Sequence, residues 1–486
     1  MSKFQPITCY TNQTSQYELL PFRFEALGDD DVVVTNAVGE FSFLPRPKLE
    51  DLVAHRLPPS DPYYSRLRAK HFLRESGDQA ALELLALKTR TKYANLRNFT
   101  NLHLFVVTLR CDHSCQYCQV SRQSEDKAAF DMTRETAEKG LDIVFRSPNQ
   151  AIKIEFQGGE PLLNFDLIRY IVEKAEKRNQ TESRNLQFVI TTTLALATDE
   201  MLEFCRDHGI FLSSSLDGPE DLHNKNRPRP GRDSHARFVA GLQRARDIVG
   251  YDGVSALMTT SPSSLGRVKD IIDEYVKHGF DGIFLRHLSP YGFALKTKSY
   301  QAYNVERWLE FYKEGLDYIL ELNKQGIRFT EYYSSLLLTK MLTANDPGFV
   351  DLMNPSGAGI AAVVFNYDGD VYASDESRML HEMGDSTFRL GNLAKNTYEE
   401  IFTADNLLTA LEDSFTSSVP MCSDCAFEPW CGADPVFHHA MHGDAVGRKP
   451  ESEFCKRMMG ASKYLLNIMR TDQEAEEIFM QWVNRC

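Results

Sequence analysis

Three cysteines with the spacing C-x3-C-x2-C, Cys111, Cys115 and Cys118, are the strongest chemical signal in the sequence. A closed [4Fe–4S] cluster takes four thiolates, so three local thiolates leave one iron without a protein ligand. Such an open position on a metal is where a substrate or cosubstrate binds. The alternative is zinc with His113 as a further ligand, but zinc prefers paired C-x2-C arms, which this spacing fits poorly.

A second group of cysteines lies in the C-terminal part of the chain: Cys422, Cys425, Cys431 and Cys455. Four thiolates are enough to close one [4Fe–4S] cluster, which then has no free iron to hold a substrate. The expected roles of a closed cluster are electron transfer or bracing of the surrounding structure. Four cysteines also suit structural zinc, and this alternative stays open at the second group.

Small and polar residues follow several apolar segments, at the positions where ligands bind in parallel sheets. They are Gly158, Gly159, Glu160, Thr192, Ser213 and Arg286. The paired glycines permit close approach of a ligand to the backbone, and Glu160 can accept a hydrogen bond from an ammonium group. Arg286 can bind a carboxylate through two parallel hydrogen bonds, the alternative being a salt bridge within the protein.

The first cysteine loop and the sequence Gly158-Gly159-Glu160-Pro161 resemble the signature and the GGEP motif of the radical S-adenosylmethionine (SAM) superfamily. The resemblance implies that SAM chelates the open iron and is cleaved by one electron to a 5′-deoxyadenosyl radical, which abstracts a substrate hydrogen atom. It places Tyr117 near the adenine, Glu160 at the SAM amino group, and Arg286 at the SAM carboxylate. Thr192 and Ser213 would contact the ribose and carboxylate, although the family usually has Asn at the position of Thr192.

The second cysteine group resembles the SPASM domain, which typically binds two auxiliary clusters. Ser356, Ser374 and Pro435 stand where that pattern has cysteines, and all three positions are ligands of the first auxiliary cluster in the family. The resemblance therefore implies that the first auxiliary cluster is absent and that one auxiliary [4Fe–4S] cluster is present. The stretch that begins at Asp217 with Asp-Gly-Pro, and continues to Arg227, is also similar to SPASM-type enzymes.

Residues 98–460 resemble radical SAM-SPASM peptide maturases. The resemblance is strongest to the maturase of the His-Xaa-Ser system, and Leu288–Ala294 is one of the shared sequence segments. The resemblance implies that the enzyme oxidises, and crosslinks, a ribosomally made precursor peptide, with flavodoxin or ferredoxin as electron donor. It also implies that residues 1–98 bind a leader peptide as an added strand. The candidates for a proton acceptor are Asp217, Asp375, Glu376 and Tyr291.

Two alternatives remain beside the peptide maturase. One is a sulfatase-type maturase that forms formylglycine, which the loss of the first auxiliary cluster disfavours. The other is a peptide-binding module that is stabilised by a structural zinc ion and has no catalytic activity.

Alternating strands and amphipathic helices over residues 100–295 are expected to position these groups. The predicted strands are Leu102–Leu109, Ala151–Phe156, Gln187–Thr193, Phe211–Leu216, Val254–Thr260 and Gly282–Leu288. Six β/α units predict an α/β fold, a partial (β/α)6 barrel with its chemistry at the carboxyl ends of the strands.

Four regions are expected along the chain. They are a small winged-helix-like α+β domain over 1–98, the barrel over 99–300, a helical bridge over 301–350, and a SPASM-like domain over 351–486 that ends in one helix near 459–484.

Composition narrows the possible partners. The net charge is −14 and no Lys/Arg-rich arm is found, so nucleic acid is not an expected partner. The sequence begins without an apolar signal segment and has no apolar stretch of about 20 residues, so we expect a cytoplasmic protein with reduced cysteines and no membrane contact.

Overall fold

The computed structural model describes residues 17–483. The strands are β1 (Tyr17–Leu19), β2 (Arg23–Ala26), β3 (Asp31–Thr35), β4 (Phe41–Pro45), β5 (Leu73–Glu75), β6 (Leu102–Thr108), β7 (Ala151–Gly158), β8 (Asn185–Thr191), β9 (Ile210–Ser215), β10 (Val254–Leu257), β11 (Gly282–Ile283), β12 (Thr330–Glu331), β13 (Ala362–Phe365), β14 (Asp370–Tyr372) and β15 (Arg389–Asn392). The helices are α1 (Arg46–Val53), α2 (Pro62–Ala69), α3 (Gln79–Lys92), α4 (Lys127–Phe130), α5 (Arg134–Val144), α6 (Phe165–Glu182), α7 (Asp199–Asp207), α8 (Glu220–Asn226), α9 (Ser234–Val249), α10 (Val268–Lys277), α11 (Phe293–Lys296), α12 (Val305–Lys324), α13 (Tyr332–Leu342), α14 (Asp375–His381), α15 (Tyr398–Phe402), α16 (Asp405–Asp413), α17 (Pro435–His442), α18 (Glu453–Thr471) and α19 (Gln473–Val483).

Five parallel strands carry the candidate site, in the spatial order β10-β9-β8-β7-β6. Helices connect successive strands, and apolar side chains such as Phe105, Ile154 and Ile190 are fully buried between the layers. Strand β6 is buried along nearly its whole length and is a near-continuous apolar run, whereas β7 and β9 alternate buried and more exposed residues. The expected α/β architecture, a parallel sheet bent into a partial barrel, is confirmed.

The sixth predicted strand is much shorter than the sequence suggested. Only Gly282–Ile283 forms a strand, and it pairs in parallel with β12 rather than with β10. The Arg286 N–H donates to the Phe284 carbonyl (2.7 Å), a tight local turn that ends the strand. The segment still lies beside the end of β10, because the Thr260 N–H donates to the Arg286 carbonyl (3.0 Å).

The sheet continues beyond β6 into the C-terminal part of the chain. Strand β13 pairs in parallel with β6, and β14 and β15 follow antiparallel, so eight strands form one sheet. A turn at Asp368-Gly369 joins β13 to β14. The Phe365 ring packs edge-on against Phe105, with 5.0 Å between ring centroids. The barrel and the C-terminal region therefore share one core.

Strands β2, β3 and β4 of the N-terminal region form a three-stranded antiparallel sheet. One face, which includes Val34 and Leu44, packs on α1 and α2 in a separate core. The other face, which includes Val33 and Phe43, packs on the main core. Helix α2 ends at Ala69, and residues 73–75 pair with β1 as β5.

The helix predicted near 459–484 is instead two helices, α18 and α19, described to Val483. Asp472 separates them, and its carboxylate accepts the Ala475 N–H (3.0 Å), which starts a new helix. Among residues 17–483, no helix is both long and apolar enough to cross a membrane.

Candidate active site and second cysteine site

The first cysteine group lies on an irregular loop that follows β6. Backbone hydrogen bonds hold both ends of the loop: the Ser114 N–H donates to the Pro228 carbonyl (2.7 Å), and the Phe293 N–H donates to the Cys118 carbonyl (2.8 Å). Burial raises the pKa of the Cys115 thiol to about 12. The free thiol therefore stays protonated, and its proton must leave when a metal binds.

A cavity of about 190 Å³ lies beside this loop, at the carboxyl ends of the parallel strands. It brings together nine of the predicted site residues: Cys111, Cys115, Cys118, Tyr117, Gly158, Gly159, Thr192, Arg286 and Asp375. Three thiols that face one cavity, with a cationic group among the other lining residues, fit a [4Fe–4S] cluster with one open iron and an anionic organic ligand.

The two glycines after β7 are required by the protein itself. A Cβ on Gly158 would lie 1.9 Å from the Thr108 carbonyl oxygen, and a Cβ on Gly159 would lie 2.2 Å from that of Arg110. Gly158 also has φ +148°, which side chains disfavour. The glycines thus let the end of β7 pack against the start of the cysteine loop while they line the cavity.

Glu160 is buried behind the cavity wall and does not line it. One carboxylate oxygen accepts the Thr192 hydroxyl (2.6 Å), and the other accepts the Thr193 hydroxyl (2.7 Å) and N–H (2.9 Å). Burial raises the pKa of Glu160, and these donors oppose that rise. The geometry makes Glu160 a group that fixes the side chains of Thr192 and Thr193 in the cavity wall.

Tyr117, Asp217 and Arg227 form a buried cluster under the cysteine loop. The Tyr117 hydroxyl donates to Asp217 Oδ2 (2.5 Å), and Arg227 Nη2 donates to Asp217 Oδ1 (3.1 Å). The Arg227 guanidinium also lies 5.5 Å from the centre of the Tyr117 ring. Asp217, predicted to face the barrel mouth, is fully buried and outside the cavity lining, because both of its oxygens bind protein groups. Its geometry suits positioning of Tyr117 rather than contact with a substrate.

Arg286 and Asp375 face the cavity from elements far apart in sequence. Among the described residues, no hydrogen bond or ion pair of the Arg286 guanidinium is found, so its charge is available to a ligand. Asp375 is the first residue of α14, and its Oδ1 accepts from Arg378 Nε (3.1 Å). Arg378 is fully buried, which fixes the direction of the Asp375 carboxylate.

Three other predicted residues do not line the cavity. Tyr291 is 1% exposed, its hydroxyl has no partner among the described residues, and burial raises its pKa. Burial and the Asp351 carboxylate raise the pKa of Glu376 to about 7. Ser213 lies too far back on β9, and Ser214 and Ser215 line the cavity in its place. The strand-end rule would have found these two, since they are closer to the carboxyl end.

The second cysteine group is assembled from a turn-rich loop, 422–431, and from Cys455 in the first turn of α18. All four thiols are free and partly exposed. A tetrahedral zinc site with Zn–S bonds of about 2.3 Å holds its sulfurs about 3.8 Å apart. Among the described residues, ligand groups within 4.8 Å of one another are found at Cys111–His113 and around Glu274, and the second cysteine group is not among them. Four thiols suit both a closed [4Fe–4S] cluster and structural zinc.

The positions without cysteine have taken on structural roles. Ser374 is the N-cap of α14 and accepts the Ser377 N–H (3.2 Å), and Pro435 is the first residue of α17. The Ser356 N–H donates to Ser414 Oγ (3.0 Å). Hydroxyl groups and a proline cannot replace thiolates at an iron–sulfur cluster, so these residues do not provide a ligand set.

Comparisons with known proteins agree with this geometry. Residues 105–275 match the family model of the radical SAM superfamily. The cysteine-type anaerobic sulfatase-maturating enzyme of Clostridium perfringens is 25% identical over 309 residues, which cover 60% of this chain and 77% of that enzyme. The chain spans 63% and 51% of the lengths of the first two curated relatives that it matches.

Two solved structures share the fold. Native anSMEcpe with bound AdoMet superimposes with a TM-score of 0.61 at 18% identity, over 78% of this chain and 99% of that one. Streptococcus suis SuiB bound to the precursor peptide SuiA superimposes with a TM-score of 0.54 at 13% identity, over 90% of this chain and 98% of that one. At these identities the likeness shows the radical SAM fold alone.

Proposed function

We propose, from the premise that residues 105–275 form a radical SAM domain, that this chain oxidises and crosslinks a ribosomally made precursor peptide. The cofactors of the domain are a [4Fe–4S] cluster and SAM, which together supply a 5′-deoxyadenosyl radical that abstracts a hydrogen atom. The observation that carries the proposal is the cavity in which three thiols, Arg286 and Asp375 converge. The sulfatase-maturating relative and the peptide-bound SuiB structure support a peptide as the substrate.

The lining residues divide the work of binding SAM. Arg286, whose guanidinium is free, binds the carboxylate of the ligand. Tyr117 forms the wall for the adenine, and its ring is held by Asp217. Thr192, whose hydroxyl is held by Glu160, forms part of the wall of the same cavity.

Asp375 is the proposed proton acceptor. It is the carboxylate that lines the cavity, and Arg378 holds it in place through one oxygen, which leaves the other for the substrate. After a hydrogen atom leaves a C–H group, the carbon radical must lose an electron, which the proposed auxiliary cluster would accept. The N–H, O–H or C–H group that forms the new bond to this carbon must lose a proton, and the Asp375 carboxylate can accept it.

The test of this function uses the anaerobically reconstituted protein, a chemical reductant, SAM and candidate precursor peptides from any small reading frames beside its gene. We expect 5′-deoxyadenosine and a peptide that has lost two hydrogen atoms, read by mass spectrometry. Asp375→Asn should keep 5′-deoxyadenosine formation and lose most of the peptide product. Asp368→Asn, in the β13–β14 turn, is the matched control. Wild-type protein that cleaves SAM but leaves every candidate peptide unchanged would contradict the proposal.

The second cysteine group is proposed to hold the single auxiliary [4Fe–4S] cluster. The structural roles of Ser374 and Pro435 support the loss of the first auxiliary cluster, and this loss disfavours the formylglycine-forming alternative. A small electron carrier such as flavodoxin or ferredoxin would supply the reducing electron, and the cytoplasm would keep the thiols reduced.

The N-terminal sheet is proposed to recruit the precursor peptide along the outer edge of β4. The bonds at Asn36 and Arg46 fix which backbone groups of β4 face β3, so those of Phe41 and Phe43 face outward. Two adjoining cavities of about 370 and 350 Å³ follow this edge from Phe43 to Leu87 on α3. An edge strand beside a cleft is suited to strand addition by an extended peptide.

The two adjoining cavities form one groove along β4. Its charge and its exposed leucines indicate what it binds. Its cations outnumber its acids, in a chain with a net charge of −14. The cations are Arg66, Lys70, Lys88, Lys92 and Lys340, and the acids are Glu40, Asp346 and Glu476. Leu84 and Leu87 on α3 are 52% and 56% exposed beside it. The groove therefore fits a peptide with both acidic and apolar side chains.

The double variant Leu84→Asp, Leu87→Asp tests whether the groove binds the precursor peptide. We expect at least tenfold weaker binding of the precursor peptide by fluorescence anisotropy, because the change adds negative charge and removes apolar surface. Leu82→Asp, an exposed leucine on another face of α3, is the matched control and should bind normally. Equal affinity in all three proteins would place the peptide elsewhere.

A further inference from the structure

The loop 422–431, which carries three of the four thiols of the second site, lies against the N-terminal sheet. Arg23, the first residue of β2, donates to the Glu428 carboxylate (3.0 Å) and to the Ser423 carbonyl (2.6 Å). Glu428 is only 2% exposed, so water screens this ion pair little. A residue from the start of the chain thus fixes two points of a loop about 400 residues later.

Strand β3 and the turn before β4 complete this contact. The Thr35 hydroxyl donates to the Ala426 carbonyl (2.7 Å), and both residues are buried. Trp430, fully buried, donates its Nε1–H to the Gly39 carbonyl (3.1 Å) and packs edge-on against Phe41 at 5.5 Å between ring centroids. A Cβ on Gly39, at φ +91°, would approach Trp430 Nε1 to 3.2 Å, so glycine suits this position.

The loop combines short local hydrogen bonds, such as that from the Cys425 N–H to the Cys422 carbonyl (3.1 Å), with contacts from the N-terminal sheet. Residues 422–431 form turns without a helix or strand, and the carbonyls of Ser423 and Ala426 accept from the N-terminal sheet. Buried carbonyls that lose their donors are costly, because no water replaces the bond. We infer that the N-terminal sheet is a structural part of the second metal site, which fixes loop 422–431 so that its three thiols can ligate together with Cys455.

This arrangement makes metal binding and docking of the sheet reciprocal. A metal that orders the loop stabilises the sheet contact, and the sheet contact favours metal binding by the same free energy. Lys340 extends the coupling to the proposed peptide groove, because its Nζ lines the groove and donates to the Cys431 carbonyl (3.2 Å). This last extension rests on the proposed function, whereas the coupling of sheet and loop does not.

The test compares metal content in the full-length protein after anaerobic reconstitution. Wild type should hold about eight irons, two clusters of four. The double variant Arg23→Gln, Thr35→Val should fall toward about four irons, the metal of the first site. Its 5′-deoxyadenosine formation should stay within about twofold of wild type, which shows that the chain is folded. Arg74→Gln, which breaks an ion pair with Glu18 between β5 and β1, is the control in the same region and should keep all its metal.

The reverse experiment measures hydrogen exchange in β2, β3 and β4. Cys425→Ser should speed exchange in these strands, and Cys118→Ser at the first site should not. Full metal content in the double variant, or exchange in the sheet that does not respond to Cys425→Ser, would overturn the inference. If no peptide is modified but the double variant still loses metal, the proposed function fails and this inference stands.

Discussion

The two cysteine sites of this chain have the same kind of ligand but opposite surroundings. The first site has three thiols on a loop at the ends of parallel strands, next to a cavity of about 190 Å³. The second has four thiols, three of them on a loop covered by the N-terminal sheet through Arg23 and Thr35. In the proposed assignment, the first site leaves room for a small molecule at the metal, and the second would use all four thiols on the metal.

The difference shows how one chain separates two tasks of iron–sulfur chemistry. An open coordination position lets a cofactor bind and react, and it needs a scaffold that leaves space. A closed cluster exchanges electrons and needs ligands that do not move. The parallel strands provide the first environment. Contacts from a separate part of the chain, including the fully buried Trp430, provide the second.

The largest expected effect comes from removing one ligand of the open site. Cys115→Ala should abolish 5′-deoxyadenosine formation, because two thiolates cannot hold the cluster with its open iron. It should also remove about four irons per chain. Product is measured by liquid chromatography after incubation with reductant and SAM. Cys205→Ala, a buried cysteine on α7, is the control and should retain activity. Activity in the Cys115 variant would erase the distinction between the two sites.

Removal of one ligand of the closed site should separate the two reactions. Cys455→Ala should still form 5′-deoxyadenosine, because the first site is intact, and it should lose the peptide product. Both products are measured in one reaction mixture. If this variant modifies the peptide at the wild-type rate, the second site is only structural.

The first site was largely predictable from sequence, because its chemistry follows from local spacing and from the ends of strands. The cysteine loop, the paired glycines, Thr192 and Arg286 all line the cavity as the strand-end rule requires. Ser213 was misplaced because alternation along a strand does not say how deep in the barrel a residue lies. Asp217 was misjudged because its partner Arg227 comes ten residues later, on the end of another element.

The surroundings of the second site were not predictable, because they depend on pairings between distant segments. Nothing near Arg23 in the sequence indicates Glu428 as its partner. The pairing of β13 with β6, which joins the C-terminal region to the barrel, is equally non-local. The shortened sixth strand follows from a turn at Arg286, where the apolar pattern alone predicted a continuous strand.

A smaller effect is expected from the buried cluster that holds Tyr117 at the open site. Asp217→Asn leaves the Arg227 guanidinium buried without its counter-charge, so the free energy of unfolding should fall by about 3–5 kcal/mol. Tyr117→Phe removes only one hydroxyl and should cost about 1 kcal/mol. Urea unfolding of the metal-free proteins measures both. SAM binding by calorimetry should weaken in both variants, and equal stability of the two variants would show that the ion pair has no such role.

The smallest effect concerns the acids between the two sites, next to the positions that lack cysteine. Burial raises the pKa of Asp351, Glu376 and Asp434 to about 7 each. Because these values exceed those of the unfolded chain, the folded state binds more protons, and stability should fall as pH rises from about 4.5 to 7. Glu376→Gln should flatten this dependence in urea unfolding at pH 5, 6, 7 and 8. Glu310→Gln, an exposed residue on α12, should leave it unchanged. If the free energy of unfolding of the Glu376 variant falls more steeply with pH than that of wild type, the Glu376 carboxylate is held ionised. The region between the sites would then be more polar than its burial indicates.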